Sequence, residues 1–127
     1  MKLLLDTNRL SDALAEDDEV LDALEVAETI YVPVIALGEI RSGFLAGRRP
    51  ADNETRLQWF LSQDGVSTLG IDSSVSHRYA RIHKALRARG MPIPTNDLWI
   101  AAIAVEHGLA VYTRDAHFQR VPGLAVR

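Results

Sequence analysis

Short apolar runs without polar alternation recur along the chain and predict buried β-strands. The first lies near the N-terminus, where Leu3, Leu4 and Leu5 run directly into Asp6. A run that lacks alternation suits a strand covered on both faces, as in parallel α/β sheets. Further strands are predicted at residues 29–32, 66–69 and 109–112, with an edge strand at 124–126.

Segments with apolar residues at helical spacing separate these strands and predict six helices. In residues 34–46 the stripe is formed by Val34, Leu37, Ile40, Phe44 and Leu45, and Gly47 follows as a stop. The other predicted helices are 9–15, 19–27, 52–63, a long helix capped by Asp72 or Ser73 that runs to Arg89, and an apolar helix opened by Asn96 and Asp97 and ended by Gly108.

Strands that alternate with helices favour an α/β fold with a central, mainly parallel sheet of four to five strands flanked by helices. Right-handed crossovers place the carboxyl ends of parallel strands at one edge of the sheet. Open α/β sheets bind their ligands at that edge. The 127 residues fit a single domain, 1–127.

Composition narrows the class of protein. Hydrophobic residues make up 47% and charged residues 24%, which is ordinary globular usage, and no apolar run is long enough to cross a bilayer. The chain has no cysteine, which excludes disulfides and cysteine-ligated zinc. Because the N-terminus is predicted to be a strand and not a signal peptide, we expect a cytoplasmic protein.

Charge is distributed unevenly along the chain. Residues 1–40 carry ten acids and two bases, whereas residues 41–127 carry twelve bases and seven acids. Within the basic part, residues 73–96 hold no acid, and three bases recur there at intervals of three. A solvated helix face is the default explanation, and a phosphate-binding stripe is the alternative. The candidates for contact with phosphate are Arg41, Arg48, Arg78, Arg81 and Lys84.

Four acids stand where the predicted fold would bring side chains to one edge of the sheet. Asp6 and Asp115 follow buried strands, Asp97 lies in the first turn of a helix, and Glu39 belongs to the helix after the second strand. Taken alone, each has a structural explanation, because Asp caps helices and turns and Glu39 falls on the face opposite the apolar stripe.

Taken together, these acids require a counter-charge. Two carboxylates about 4 Å apart repel by about 4 kcal/mol at an effective dielectric constant of about 20, so a cluster needs a cation or bound protons. Oxygen ligands favour Mg²⁺ or Mn²⁺ over zinc. The histidines have no spacing typical of paired ligands, and we expect structural or surface roles for His77, His83, His107 and His117.

Four short motifs carry a family resemblance. They are Leu-Leu-Leu-Asp-Thr-Asn ending at Asn8, Leu-Gly-Glu-Ile around Glu39, Asn-Asp-Leu-Trp-Ile-Ala-Ala from Asn96, and Thr-Arg-Asp-Ala-His-Phe from Thr113. In order and spacing they resemble the PIN-domain ribonucleases, specifically the VapC-type toxins of toxin–antitoxin pairs. The resemblance covers essentially the whole chain and implies a three-layer PIN-like fold.

The resemblance also implies an activity and partners. It implies a metal-dependent endoribonuclease that hydrolyses RNA phosphodiester bonds with Mg²⁺ (or Mn²⁺), forms a homodimer and is held inactive by a VapB-like antitoxin. The residues that it assigns to catalysis and metal binding are Asp6, Glu39, Asp97 and Asp115, with Thr113 and Asn8 in support.

Other readings of the same acids have different requirements. An aspartyl phosphatase needs an Asp two positions after its nucleophile, where this chain has Asn8, and a receiver domain needs a lysine late in the sheet, whereas the only lysines are Lys2 and Lys84. A non-catalytic binding module whose acids serve only as caps, and a metal-dependent DNase on the same site, both stay open at this point.

Overall fold

The predicted strands and helices are present in the computed structural model, which describes all residues from Met1 to Arg127. The apolar runs form four strands, β1 (Lys2–Leu5), β2 (Thr29–Pro33), β3 (Val66–Leu69) and β4 (Ala110–Tyr112). The amphipathic segments form α1 (Thr7–Leu14), α2 (Asp18–Val26), α3 (Val34–Ala46), α4 (Pro50–Leu61), α5 (Ser73–Ala88) and α6 (Thr95–His107). A 3₁₀ helix at Ala116–Arg120 follows β4.

The four strands form one parallel sheet in the order β3-β2-β1-β4. β1 therefore lies at the centre, with Leu4 in register with Tyr31 on one side and with Val111 on the other. The predicted α/β class and parallel sheet are confirmed. The predicted fifth strand is reduced to a single parallel bridge between Val111 and Val126.

Two apolar cores lie on the two faces of the sheet and give the fold three layers. Side chains alternate along a strand, and Leu4 accordingly joins a cluster with α5 and α6, whereas Leu3 and Leu5 join a second cluster with α1 to α4. β1 is buried on both sides, which explains its unbroken apolar run. No helix is both long enough and apolar enough to span a membrane.

Capping residues explain where several helices begin and end. Asp72 accepts a hydrogen bond from the Val75 amide at 2.9 Å and starts α5, and Gly108 ends α6 with φ of 65°, a left-handed conformation that favours glycine. α4 begins two residues earlier than predicted because Pro50 occupies its first turn. Asp6 caps α1, and its side chain accepts a hydrogen bond from the Thr7 amide.

Candidate active site

Asp6 lies at the carboxyl end of the central strand and is almost fully buried, with 5% of its surface exposed. Its backbone amide donates to the carbonyl of Tyr112 at 3.0 Å, which fixes it against β4. Its Oδ1 accepts a hydrogen bond from the Thr7 amide at 2.8 Å. Its Oδ2 accepts from the Thr113 hydroxyl at 2.7 Å and from Asn8 Nδ2 at 3.2 Å. Both carboxylate oxygens are therefore held in place.

Thr113 connects Asp6 to the loop after β4. Its hydroxyl donates to Asp6 and also accepts hydrogen bonds from the Asp115 amide at 2.9 Å and from Asn8 Nδ2 at 3.3 Å. Only 7% of the residue is exposed. The side chains predicted to support the site, Thr113 and Asn8, thus both contact Asp6.

α1 holds the same loop at two further points. Asn8 Oδ1 accepts a hydrogen bond from the Arg114 amide at 3.3 Å. One turn further along, Asp12 accepts from the Arg114 guanidinium at 3.0 Å. Because Arg114 lies between Thr113 and Asp115, these contacts fix the position from which Asp115 leaves the sheet.

Glu39 reaches the site from α3. The Thr7 hydroxyl donates to Glu39 Oε1 at 2.8 Å, although the two residues are 32 positions apart. The exposed face predicted for Glu39 is correct, and it is the face that lines an open groove of about 520 Å³. The opposite wall of that groove includes Asn96, the neighbour of Asp97.

Asp97 and Asp115 meet around a histidine. His117 Nδ1 lies 3.1 Å from Asp97 Oδ2 and 3.0 Å from Asp115 Oδ1. The sequence predicted only a structural or surface role for His117 and did not predict its contact with these two acids. The 3₁₀ helix produces this contact, because Asp115 caps it by accepting from the His117 amide at 2.9 Å. The ligand atoms of Asp97, Asp115 and His117 all lie within 4.8 Å of one another.

Burial and mutual repulsion raise the pKa of two of these acids. The pKa of Asp6 lies above its ordinary value, first because the carboxyl is buried and further because Glu39 and Asp115 are negative. The pKa of Asp97 is also raised by burial and by the charges of Asp6 and Asp115. All four predicted acids therefore share one electrostatic field.

The donor set fits a divalent cation. The four acids are near enough for their charges to act on one another, and carboxylate oxygens are ligands that hard cations prefer. A cation would also remove the repulsion that raises the pKa of Asp6 and Asp97. The chemistry that such a cluster supports is metal-assisted hydrolysis of a substrate with negatively charged oxygens.

The predicted RNA-binding bases fall into two groups. Arg41 makes a bidentate contact with Glu54 at 2.9 and 3.1 Å, and Arg78 donates to Glu106 at 2.9 Å. These two guanidinium groups are already paired within the protein. The other three predicted bases, Arg48, Arg81 and Lys84, are exposed and make no ion pair.

Comparisons with known proteins agree with this geometry. A family model described as the PIN domain matches residues 3–124. The chain is 39% identical to Ribonuclease VapC4 from Mycobacterium tuberculosis over 95 residues, which cover 75% of this chain and 73% of that protein. It is 32% identical to Ribonuclease VapC5 from the same organism over 110 residues, which cover 87% of this chain and 82% of the relative.

A solved structure shares the whole architecture. One chain in the structure of VapBC2 from Rickettsia felis superposes on this chain with a TM-score of 0.91. That structure was solved with VapBC2 bound to a DNA fragment from its promoter. The match has 26% identity and covers 100% of this chain and 98% of the other. From its sequence and fold, this chain belongs to the PIN-domain family and, within it, to the VapC-type proteins.

Proposed function

We propose that this protein is an endoribonuclease toxin that hydrolyses RNA phosphodiester bonds and is inhibited by a VapB-like antitoxin. Relatives named ribonucleases support the reaction, and the VapBC2 complex from R. felis supports the antitoxin. The observation that carries the proposal is the set of contacts that connects four acids. Thr7 contacts both Asp6 and Glu39, Thr113 contacts both Asp6 and the Asp115 backbone, and the His117 ring contacts both Asp97 and Asp115.

These four acids are assigned as the ligands of Mg²⁺ or Mn²⁺. When bound, such an ion neutralises charge on phosphoryl oxygens and lowers the pKa of water. Asp6 is the fixed member of the set, since three donors hold its two oxygens. Glu39 and Asn96, the neighbour of Asp97, both line the groove, so the scissile phosphate would lie between α3 and the start of α6.

Thr113 and Asn8 have the role of orienting these ligands. The Thr113 hydroxyl holds the Asp6 carboxylate on one side and the Asp115 backbone on the other. Asn8 donates to Asp6 and accepts from the Arg114 amide, so it ties the first strand to the last loop. Loss of either contact would let two ligands move apart.

The RNA backbone is assigned to those predicted candidates that have no acid partner. Arg48, Arg81 and Lys84 are exposed and have no acid partner, so their charge is available to phosphates. Arg41 and Arg78 are weaker candidates because Glu54 and Glu106 already occupy their guanidinium groups.

The proposed assembly is a homodimer of single-domain chains that works in the cytoplasm, where its RNA substrate lies. Large apolar side chains remain exposed on this chain, with exposed fractions of 75% at Val26, 79% at Leu45 and 67% at Trp59. These side chains are the candidates for burial at an interface with a protein partner. Light scattering of the free toxin and of the toxin mixed with its antitoxin tests the assembly.

The reaction is tested with single-stranded RNA and DNA oligonucleotides of the same base sequence, in Mg²⁺ and in EDTA. Asp97→Asn is the main variant, and Asp52→Asn is its matched control. Asp52 is also the third residue of a helix and lies in its first turn, so both changes remove one negative charge near a helix N-terminus. Only Asp97 lies among the acids.

The expected result is metal-dependent cleavage of RNA that falls more than about 100-fold in Asp97→Asn and is unchanged in Asp52→Asn. The factor exceeds the 10- to 100-fold cost of losing a residue that merely supports a metal ligand. Equal cleavage of DNA would favour the DNase reading. Full activity in Asp97→Asn would overturn the assignment of the acids.

A further inference from the structure

The strongest unassigned feature is the ring of His117, which lies between two of the proposed metal ligands. Its Nδ1 is 3.1 Å from Asp97 Oδ2 and 3.0 Å from Asp115 Oδ1. The residue belongs to none of the four acidic positions, and sequence reasoning set it aside. We propose that His117 Nδ1 is a nitrogen ligand of the metal ion, beside Asp97 and Asp115, and that it shifts the site from Mg²⁺ toward Mn²⁺.

The observed separations match those between neighbouring ligands of one ion. Ligands at about 2.1 Å from a cation in octahedral geometry lie about 3.0 Å from their neighbours. The two Nδ1–O distances of 3.0 and 3.1 Å have this value, and all three ligand atoms lie within 4.8 Å of one another. The three atoms can therefore share one coordination shell without large movement.

The backbone around His117 holds the ring in this place. Asp115 accepts a hydrogen bond from the His117 amide at 2.9 Å, so the residue is tied to one of its proposed co-ligands. The next residue, Phe118, is completely buried in the core that contains α6. With its backbone fixed on both sides, His117 loses less conformational freedom when its ring binds an ion, which favours ligation.

A nitrogen ligand changes which ion the site prefers. Mg²⁺ prefers oxygen ligands, whereas first-row transition metal ions also accept imidazole. Mn²⁺ is the first and weakest of these ions, and their affinity for a given site rises along the series. A site made only of carboxylates would discriminate less between Mg²⁺ and Mn²⁺. His117 thus supplies the selectivity, while the acids supply most of the charge.

The competing explanation is a purely structural hydrogen bond. In that arrangement Nδ1 carries a proton and donates to both carboxylates. In the proposed arrangement Nδ1 presents its lone pair to the ion, and the ring proton lies on Nε2. The two arrangements differ in whether nitrogen contacts the ion, which spectroscopy detects without any measurement of activity.

The experiment uses Mn²⁺ as the probe and the full chain as the protein. The affinity for Mn²⁺ is measured from the electron paramagnetic resonance signal of the free ion, and the affinity for Mg²⁺ by competition. Pulsed measurements on bound Mn²⁺ detect directly coordinated ¹⁴N, and labelling the histidines with ¹⁵N identifies the source. His117→Gln is compared with His83→Gln, since His83 is also partly buried but stacks on Tyr79 in α5.

We expect a nitrogen coupling in the wild-type protein that changes on ¹⁵N-histidine labelling and is absent in His117→Gln. The affinity for Mn²⁺ should fall by about tenfold or more in that variant, within the range found when groups around a metal are lost, and the affinity for Mg²⁺ should fall less. His83→Gln should match the wild type in both measurements.

The inference rests on the proposed function, and the two fail in different ways. If the wild-type protein binds no Mn²⁺, both fail. If it binds Mn²⁺ without a coupling to histidine nitrogen, His117 is not a ligand, and the four acids remain the metal site. This second outcome is read from the wild-type protein and does not depend on whether the variant folds.

Discussion

The hydroxyl of Thr113 donates a hydrogen bond to Asp6 Oδ2 at 2.7 Å, although the two residues are 107 positions apart. They meet because β1 and β4 are neighbours in the sheet and both end at this edge. The same hydroxyl accepts from the Asp115 amide at 2.9 Å. One buried side chain therefore sets the positions of two proposed ligands relative to each other.

Replacing Thr113 by valine tests this link. Valine keeps the shape but removes the hydroxyl, so Asp6 loses a donor and the Asp115 amide loses its acceptor. We expect activity to fall by about 10- to 100-fold, as when a partner of a metal ligand is lost. The free energy of unfolding should fall by about 1–3 kcal/mol, because buried polar groups are left unpaired. RNA cleavage and urea denaturation measure the two effects.

Thr113→Ser is the matched control for this change, since it keeps the hydroxyl and removes only a methyl group. Activity close to the wild type is expected for the serine variant. If Thr113→Val were as active as Thr113→Ser, the hydroxyl would have no part in positioning the ligands.

Asp6→Asn should make the metal-free protein more stable at neutral pH. Burial, then the charges of Glu39 and Asp115, raise the pKa of Asp6 above its ordinary value of 3.8, so the native state holds this proton to a higher pH than the unfolded chain does. The stability of the wild type therefore falls as pH rises from 3.8 to the raised pKa. Asparagine removes this loss.

Thermal melts in EDTA from about pH 4 to about pH 8 check this expectation. The melting temperature of Asp6→Asn should exceed that of the wild type by a few degrees at the upper end. The difference should shrink toward the lower end, where the native carboxyl is protonated and the unfolded chain also begins to bind the proton. A difference that did not change with pH would mean that the charge of Asp6 is not the cause.

Addition of metal should reverse that order. An ion that binds only the native state stabilises it by about 2.7 kcal/mol when its concentration is 100 times the dissociation constant. We expect Mn²⁺ to raise the melting temperature of the wild type and to leave Asp6→Asn nearly unchanged. Equal increases in the melting temperature of both proteins would mean that the ion binds elsewhere. Asp22→Asn, at an exposed position on α2, is the control for nonspecific charge effects.

The sequence predicts those parts of the structure that depend on local chemistry. Leu3, Leu4 and Leu5 read as a doubly covered strand because β1 is buried on both faces, and Gly108 ends α6 because its backbone adopts a left-handed conformation. The parallel direction of the strands then follows from their alternation with helices.

The unpredicted contacts are those made by side chains that meet only in the folded chain. His117 contacts Asp97 because the 3₁₀ helix brings it back to the start of α6. This helix has only five residues, too few for a periodic sequence pattern to predict it. The Thr7 hydroxyl reaches Glu39 across 32 residues. Likewise, Arg41 pairs with an acid on α4 and Arg78 pairs with an acid on α6. The charge pattern within a single helix could not predict these two ion pairs.

The pairing of Arg78 divides the basic residues of α5 into two kinds. Arg78 donates to Glu106 on α6 at 2.9 Å, whereas Arg81 and Lys84 are exposed without a partner. We expect Arg81→Glu combined with Lys84→Glu to weaken RNA binding. Each lost phosphate contact should reduce the slope of log affinity against log salt by about 0.7 for a single strand.

Two further variants separate direct contact from general charge. Arg56→Glu combined with Arg127→Glu changes the net charge by the same amount as the α5 double variant, but at exposed bases outside α5. It should leave the slope of log affinity against log salt unchanged. Arg78→Gln should leave RNA binding near the wild type, because its guanidinium is already engaged by Glu106. Fluorescence anisotropy with a labelled RNA in EDTA, at several salt concentrations, gives the slopes while preventing cleavage. If the wild type and the variant Arg81→Glu with Lys84→Glu had equal slopes, α5 would present only a solvated basic face. The RNA contacts would then belong to other bases such as Arg48.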